Sequence, residues 1–119
     1  MKLVTAIIRP ERLEAVQEAL QQVLDEGDHY RLTVDAVEGH GRQEGEVEVF
    51  RGAQVRSSLV YKTRITLAIN DDYLERAIGA IVQGARTEGG GAVGDGKIFV
   101  TGLEEVVRIR TGERGRAAI

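Results

Sequence analysis

The chain has 119 residues, 42% of them hydrophobic, with a formal net charge of −3 and no cysteine. That length holds a single domain, 1–119, around one core, and is small enough that association with further copies would help it. The acidic balance and the 4% aromatic content argue against a nucleic-acid partner, which wants a basic surface and stacking rings, and the missing thiols remove disulfides and thiolate metal or catalytic centres. No apolar run approaches the length that crosses a bilayer, and the N-terminus runs straight into a strand pattern. The expectation is a cytoplasmic protein without membrane insertion.

Lys2 to Ile8 is rich in Val and Ile and predicts a buried strand. Pro10, the only proline, suits a first helical turn. Leu13, Val16, Leu20, Val23 and Leu24 then recur at helical spacing opposite Glu14, Gln17, Glu18 and Gln21, an amphipathic helix from about Glu11 to Asp25. Asp25 to His29 is a polar turn, and Leu32–Val37 a second strand. Gly39 to Lys62 reads as a long loop, of a length that compact domains keep for lids and binding loops. Thr63 to Ile69 is the third strand, with Ile65, Leu67 and Ile69 on one face. Asp72 with Glu75 matches a capping box, opening a helix striped by Leu74, Ile78, Ile81, Val82 and Ala85. Thr87 to Gly96 is a glycine-rich loop, and Lys97–Val100 the fourth strand. Val106–Arg110 extends that strand or adds a short fifth, and the polar tail from Gly112 is expected to fray. Strand, helix, strand, strand, helix, strand is the ferredoxin-like arrangement: an α+β sandwich with an antiparallel sheet carrying both helices on one face.

Two groups of residues invite chemistry. Gly94-Asp95-Gly96-Lys97 is a glycine turn feeding a strand; its amides and lysine suit an anion, while a tight turn capped by Asp95 is the purely structural alternative. Arg108 and Arg110, two apart on a strand, would share one face and match phosphate oxygens, or else form a solvated pair balanced by nearby glutamates. His29 and His40 lack companions at metal-ligand spacing. Asn70 is assigned to a helix cap, and no catalytic triad or carboxylate pair stands out.

Taken together, Thr33-Val34, Gly39, Gly41-Arg42-Gln43-Glu44-Gly45, Arg51-Gly52-Ala53, Lys62, Gly94 to Val100 and Arg108 to Glu113 closely resemble the nitrogen-regulatory PII signal-transduction family, over nearly the whole chain. The resemblance implies a homotrimer that binds ATP or ADP in clefts between subunits and is not an enzyme. By the same resemblance Gly41, Arg42, Gly94, Asp95, Gly96 and Lys97 grip the phosphates, Arg108 and Arg110 reach in from the adjacent subunit, and Thr33 lies near the adenine. Magnesium bound with ATP would be ligated by Gln43, and 2-oxoglutarate would be held by Gln43, Glu44, Gly45 and Lys62. The loop, about 40–61, would regulate a target transporter or enzyme. The chain departs from the pattern as a divergent paralogue does. Val55 stands where many members carry a uridylylated tyrosine, Ala53 at the phosphoserine position of cyanobacterial members, and Glu44 in place of the usual lysine. Two other readings remain: a small phosphate-processing enzyme of acylphosphatase type, using an arginine cradle and an asparagine, and a trimeric scaffold that has lost ligand sensing.

Overall fold

The structure, a computed structural model, describes residues 1–25, 30–40, 47–50, 53–56 and 59–119, with backbone alone at 47–50 and 53–56. The strands are β1 (Lys2–Ile8), β2 (Thr33–His40), β3 (Val47–Phe50), β4 (Ala53–Arg56), β5 (Leu59–Ile69) and β6 (Gly96–Gly102), and the helices α1 (Leu13–Val23) and α2 (Leu74–Ala85). Short 3-10 turns, Pro10–Arg12 and Asp71–Tyr73, lead into the two helices. The main sheet has the order β2-β5-β1-β6 with every neighbouring pair antiparallel. β1 and β2 are therefore parallel with β5 between them, as are β5 and β6 around β1, and each pair is joined through a helix. This is the expected ferredoxin-like split βαβ arrangement.

Strand alternation decides where the core lies. Val4, Ala6 and Ile8 of β1 and Ile65, Leu67 and Ile69 of β5 are buried, together with Val16, Ala19 and Leu20 of α1 and Ala77, Ala80, Ile81 and Ala85 of α2. Both helices thus cover one sheet face. The small residues of α2 allow close contact: a Cβ on Gly84 would lie 2.6 Å from Val16 Cα, so the helices meet there backbone to backbone. Arg12 Nε reinforces the contact by donating to Gly84 O at 2.8 Å.

The other face carries no helix. Register sets two rows across it: Asp35, Arg64, Ile7 and Lys97, then Thr33, Thr66, Thr5 and Phe99.

Several expectations are corrected. The loop is shorter than the sequence suggests, because β2 and β5 run on as a ladder to the pair His40↔Leu59 and a separate hairpin, β3–β4, lies between them. Edge pairing satisfies the backbone, so polar residues extend strands that hydrophobic patterning alone would end. α1 is confined to Leu13–Val23. The capping box does not form: neither Asn70 nor Tyr73 makes a side-chain cap bond, and Asp72 instead accepts from Arg116. Asn70 is no side-chain cap either, since its Oδ1 is buried without a partner. Val106–Arg110 is not a strand; a single bridge, Val107↔Arg114, closes a turn there. The tail is tied rather than frayed, with a 3-10 turn at Gly115–Ala118 and Ala118 buried.

Candidate functional site

A groove of about 860 Å³ opens on the helix-free face, floored by Ile7, Val37 and Phe99 and walled by Lys62, Gly94, Gly96 and Lys97. Strand register assembles it. Val37 pairs with Lys62 across β2 and β5, and Ile7 pairs with Lys97 across β1 and β6, so the two lysines rise from one face with the strand β1 between them.

The turn that closes the groove is fixed by its glycines. Gly94 and Gly96 adopt φ of +98° and +107°, a region that only glycine occupies without strain. A Cβ on Gly96 would lie 1.6 Å from Ile7 O, so the turn presses directly on β1.

The charges differ in availability. Lys97 is exposed and has no hydrogen bond or ion pair among the described residues. The Lys62 ammonium donates to Gly94 O, and burial, then repulsion from Arg9, hold it below the ordinary lysine value. Arg64 also lines the groove but is committed to Asp35 through Nε at 3.0 Å and a second bond from Nη2. Mutual hydrogen bonding lowers the Asp35 carboxyl and raises Arg64.

Asp95, expected among the phosphate contacts, has its carboxylate engaged within the loop. Its Oδ1 accepts from Arg9 Nε at 3.1 Å and from the Thr87 hydroxyl, and its Oδ2 accepts from the Thr87 and Ala92 amides at 3.0 and 2.9 Å. The Thr87 hydroxyl foremost, then the two amides, hold this carboxyl far below the usual range.

Arg108 and Arg110 are not a strand pair, which removes the argument that they share a face. Arg108 donates to Ala117 O at 3.1 Å and Ile119 O at 3.4 Å and lies 3.5 Å from a Glu113 carboxylate oxygen. Arg110 is exposed, without a partner among the described residues. Neither lines the groove, and nor does Thr33, which shares the row of Phe99 but stands at the opposite edge of the sheet. Gly41, Arg42, Gln43, Glu44 and Gly45 fall outside the described residues, as do His29, Arg51 and Gly52. Among the described residues no cluster of three or more His, Asp or Glu side chains has metal-binding geometry.

Sequence reading missed Arg9 and Thr87. The available signal was register: Ile8 pairs with Gly96, which brings the residue following β1 beside the residue preceding β6, Arg9 beside Asp95.

A family model described as nitrogen regulatory protein P-II matches residues 1–113. The chain belongs to that family. It is 48% identical over 119 residues to the nitrogen regulatory protein P-II of Bradyrhizobium diazoefficiens, covering 100% of both chains. It is 46% identical to nitrogen regulatory protein P-II 2 of Methanothermobacter thermautotrophicus, covering 100% of this chain and 97% of that one. Against nitrogen regulatory protein GlnK of Escherichia coli identity is 47%, with 100% of both chains covered. As a P-II protein it is a nitrogen-regulatory signal-transduction protein, and those relatives are regulators by name rather than enzymes.

Proposed function

We propose that this P-II protein senses adenine nucleotide, with the phosphates of ATP or ADP held at the Gly94–Lys97 turn. The observation that carries the reading is Lys97: an exposed ammonium without a partner among the described residues, standing over a groove that also holds Lys62 and the Gly94–Gly96 backbone. A polyphosphate supplies the negative charge these groups lack, and amides of a glycine turn approach its oxygens closely. The donor set therefore fits the ligand. Asp95 shapes the turn instead of touching the phosphates, its acceptor capacity being used within the loop.

The site is completed by a second copy in a homotrimer. The helix-free face leaves Phe99 53% exposed, and Ile109, between the two tail arginines, is wholly exposed; both fit burial against a neighbour. Arg110 is the arginine ready to reach across, whereas Arg108 must first leave the carbonyls of its own tail. Thr33 would serve the adenine, and Gly41 and Arg42 would add to the phosphate grip. Magnesium, if ATP brings it, would be held by Gln43, with 2-oxoglutarate on Gln43, Glu44, Gly45 and Lys62. The output would be regulation of a target transporter or enzyme by segment 40–61, without catalysis by this chain, in the cytoplasm.

The acylphosphatase reading weakens on distance. Asn70 follows the end of β5, eight residues from Lys62, roughly 26 Å along a strand.

Calorimetric titration with ATP and with ADP tests the proposal, alongside the mass of the assembly, expected at three times the 13.0 kDa subunit. Lys97→Gln should weaken both nucleotides by about tenfold or more, the loss expected when a charged hydrogen bond is removed. Unchanged affinity would remove the phosphate assignment.

A further inference from the structure

We infer that Arg9 is the positioning residue of the Gly94–Lys97 turn, clamping it through Asp95 and the Val93 carbonyl into the shape that receives an anionic phosphoryl group. The inference deepens the nucleotide reading above and rests on it.

Arg9 holds the turn at two points. Its Nε donates to Asp95 Oδ1 at 3.1 Å and its Nη2 to Val93 O at 2.7 Å. The Arg9 and Asp95 side chains are only 20% and 19% exposed, so this pair is screened far less than a surface one. Asp95 carries the constraint onward, gathering the Thr87 hydroxyl and the Thr87 and Ala92 amides on its two oxygens. These bonds close the loop at its neck, while Gly89, Gly90 and Gly91, all at positive φ, form an excursion outside it.

Arg9 is itself rigidly placed. It follows Ile8, which pairs with Gly96, and precedes Pro10, which confines it to extended backbone; its φ and ψ are −64° and 136°. Arg9 meets the carboxylate and the carbonyl with two separate nitrogens held at fixed spacing in one plane, whereas a lysine would have to reach both from a single ammonium on a flexible stem. The same guanidinium repels Lys62, whose ammonium sits on Gly94 O, the next carbonyl along. Two cations therefore hold successive carbonyls, which leaves the Lys97 side chain beside them to face a ligand.

The experiment is an ATP titration of the full-length chain as native protein, Arg9→Ala, Arg9→Lys, Asp95→Asn and the Arg9→Ala/Asp95→Asn double variant. Each single variant should lose about tenfold or more in affinity, as expected for a broken charge-assisted bond. The double variant should lose clearly less than the two single losses combined, the Val93 carbonyl contact accounting for what Arg9 contributes apart from Asp95. Native affinity in Arg9→Lys would overturn the inference, because charge alone would then suffice. Additive losses would also overturn it, because Arg9 would then act on the ligand directly.

Hydrogen exchange gives a ligand-free readout: the Thr87 and Ala92 amides should be protected in the native chain and lose protection in Arg9→Lys. If the alanine variant does not fold, Thr87→Val removes a single donor from Asp95 and should give a several-fold loss of affinity with the same exchange signature. A native chain that binds no ATP would sink the nucleotide reading, and the exchange result would still decide whether Arg9 holds the turn.

Discussion

The contact between the helices yields a sharp test of packing, because two glycines of α2 have opposite surroundings. At Gly84 an added methyl would lie 2.6 Å from Val16 Cα, 2.8 Å from Val16 N and 2.9 Å from Ala15 O, where ordinary contact begins at 3.4 Å. All three obstacles are backbone, so α1 must retreat from α2 by about 1 Å, and overpacking of that kind costs about 1–3 kcal/mol. Better helix propensity returns about 1 kcal/mol of this. A rigid obstacle favours the upper end, so Gly84→Ala should destabilise by about 2 kcal/mol, near 1 M in urea midpoint for an m-value of about 2 kcal/mol/M. At Gly79 nothing lies within 4 Å, and Gly79→Ala should stabilise by about 0.5–1 kcal/mol on propensity alone. Urea unfolding followed by circular dichroism, at one fixed protein concentration because assembly shifts the midpoint, compares the two. A Gly84→Ala midpoint at or above that of Gly79→Ala would refute the claim that the helices touch there through backbone.

Three further outcomes follow from the turn and the groove. Gly96→Ala combines φ of +107° with a Cβ 1.6 Å from Ile7 O, so it should open the β1–β6 ladder at a cost above about 3 kcal/mol; a folded variant with native thermal stability would show that the turn does not press on β1. The folded Asp95 carboxyl titrates well below its ordinary value of 3.8. Its stabilisation is therefore complete above 3.8 and erodes as pH falls below it, and Asp95→Asn should be weaker at neutral pH with a shallower acid decline in urea midpoint. The Lys62 ammonium is depressed from 10.5 by burial and Arg9, so its charge weakens the fold below its folded value and the penalty fades as pH rises towards 10.5. An anion in the groove reverses that. Nucleotide binding just below pH 10.5 should draw in a proton, seen as a dependence of calorimetric heat on buffer ionisation enthalpy and absent in Lys62→Gln.

What could be read from the sequence was governed by burial. Val4, Ala6, Ile8, Ile65, Leu67 and Ile69 alternate because one sheet face must bury them, and that alternation carries strand identity, helix order and fold class. Where burial does not act, sequence gave less. Gly39, His40, Leu59 and Tyr61 pair in an edge ladder, and solvent imposes no alternation there to mark strand ends. The capping box failed because Asp72 found a better partner 44 residues away in Arg116, a contact no local pattern encodes. The strand placement of Arg108 and Arg110 failed for a related reason: Gly112 and Gly115, at φ of +73° and +76°, turn the chain back before a strand can form. The Gly94–Lys97 turn was legible as a turn and a lysine, but not the distant arginine that holds it.

The register of β1 against β6 links these observations into one constraint. Side chains alternate along a strand, so the pairing that buries Ile8 against the helices also turns Ile7 and Lys97 to the open face. That pairing opposes Gly96 to Ile8 and leaves Arg9 beside Asp95. A slip of one residue would bury Lys97 under the helices, expose Ile98 and uncouple Arg9 from the turn in a single step. The hydrophobic core and the anion-facing groove are thus fixed by the same ladder. Substitutions at Ile8 or Ile98 that loosen the core are accordingly expected to move the Lys97 ammonium as well, without touching any residue of the groove wall.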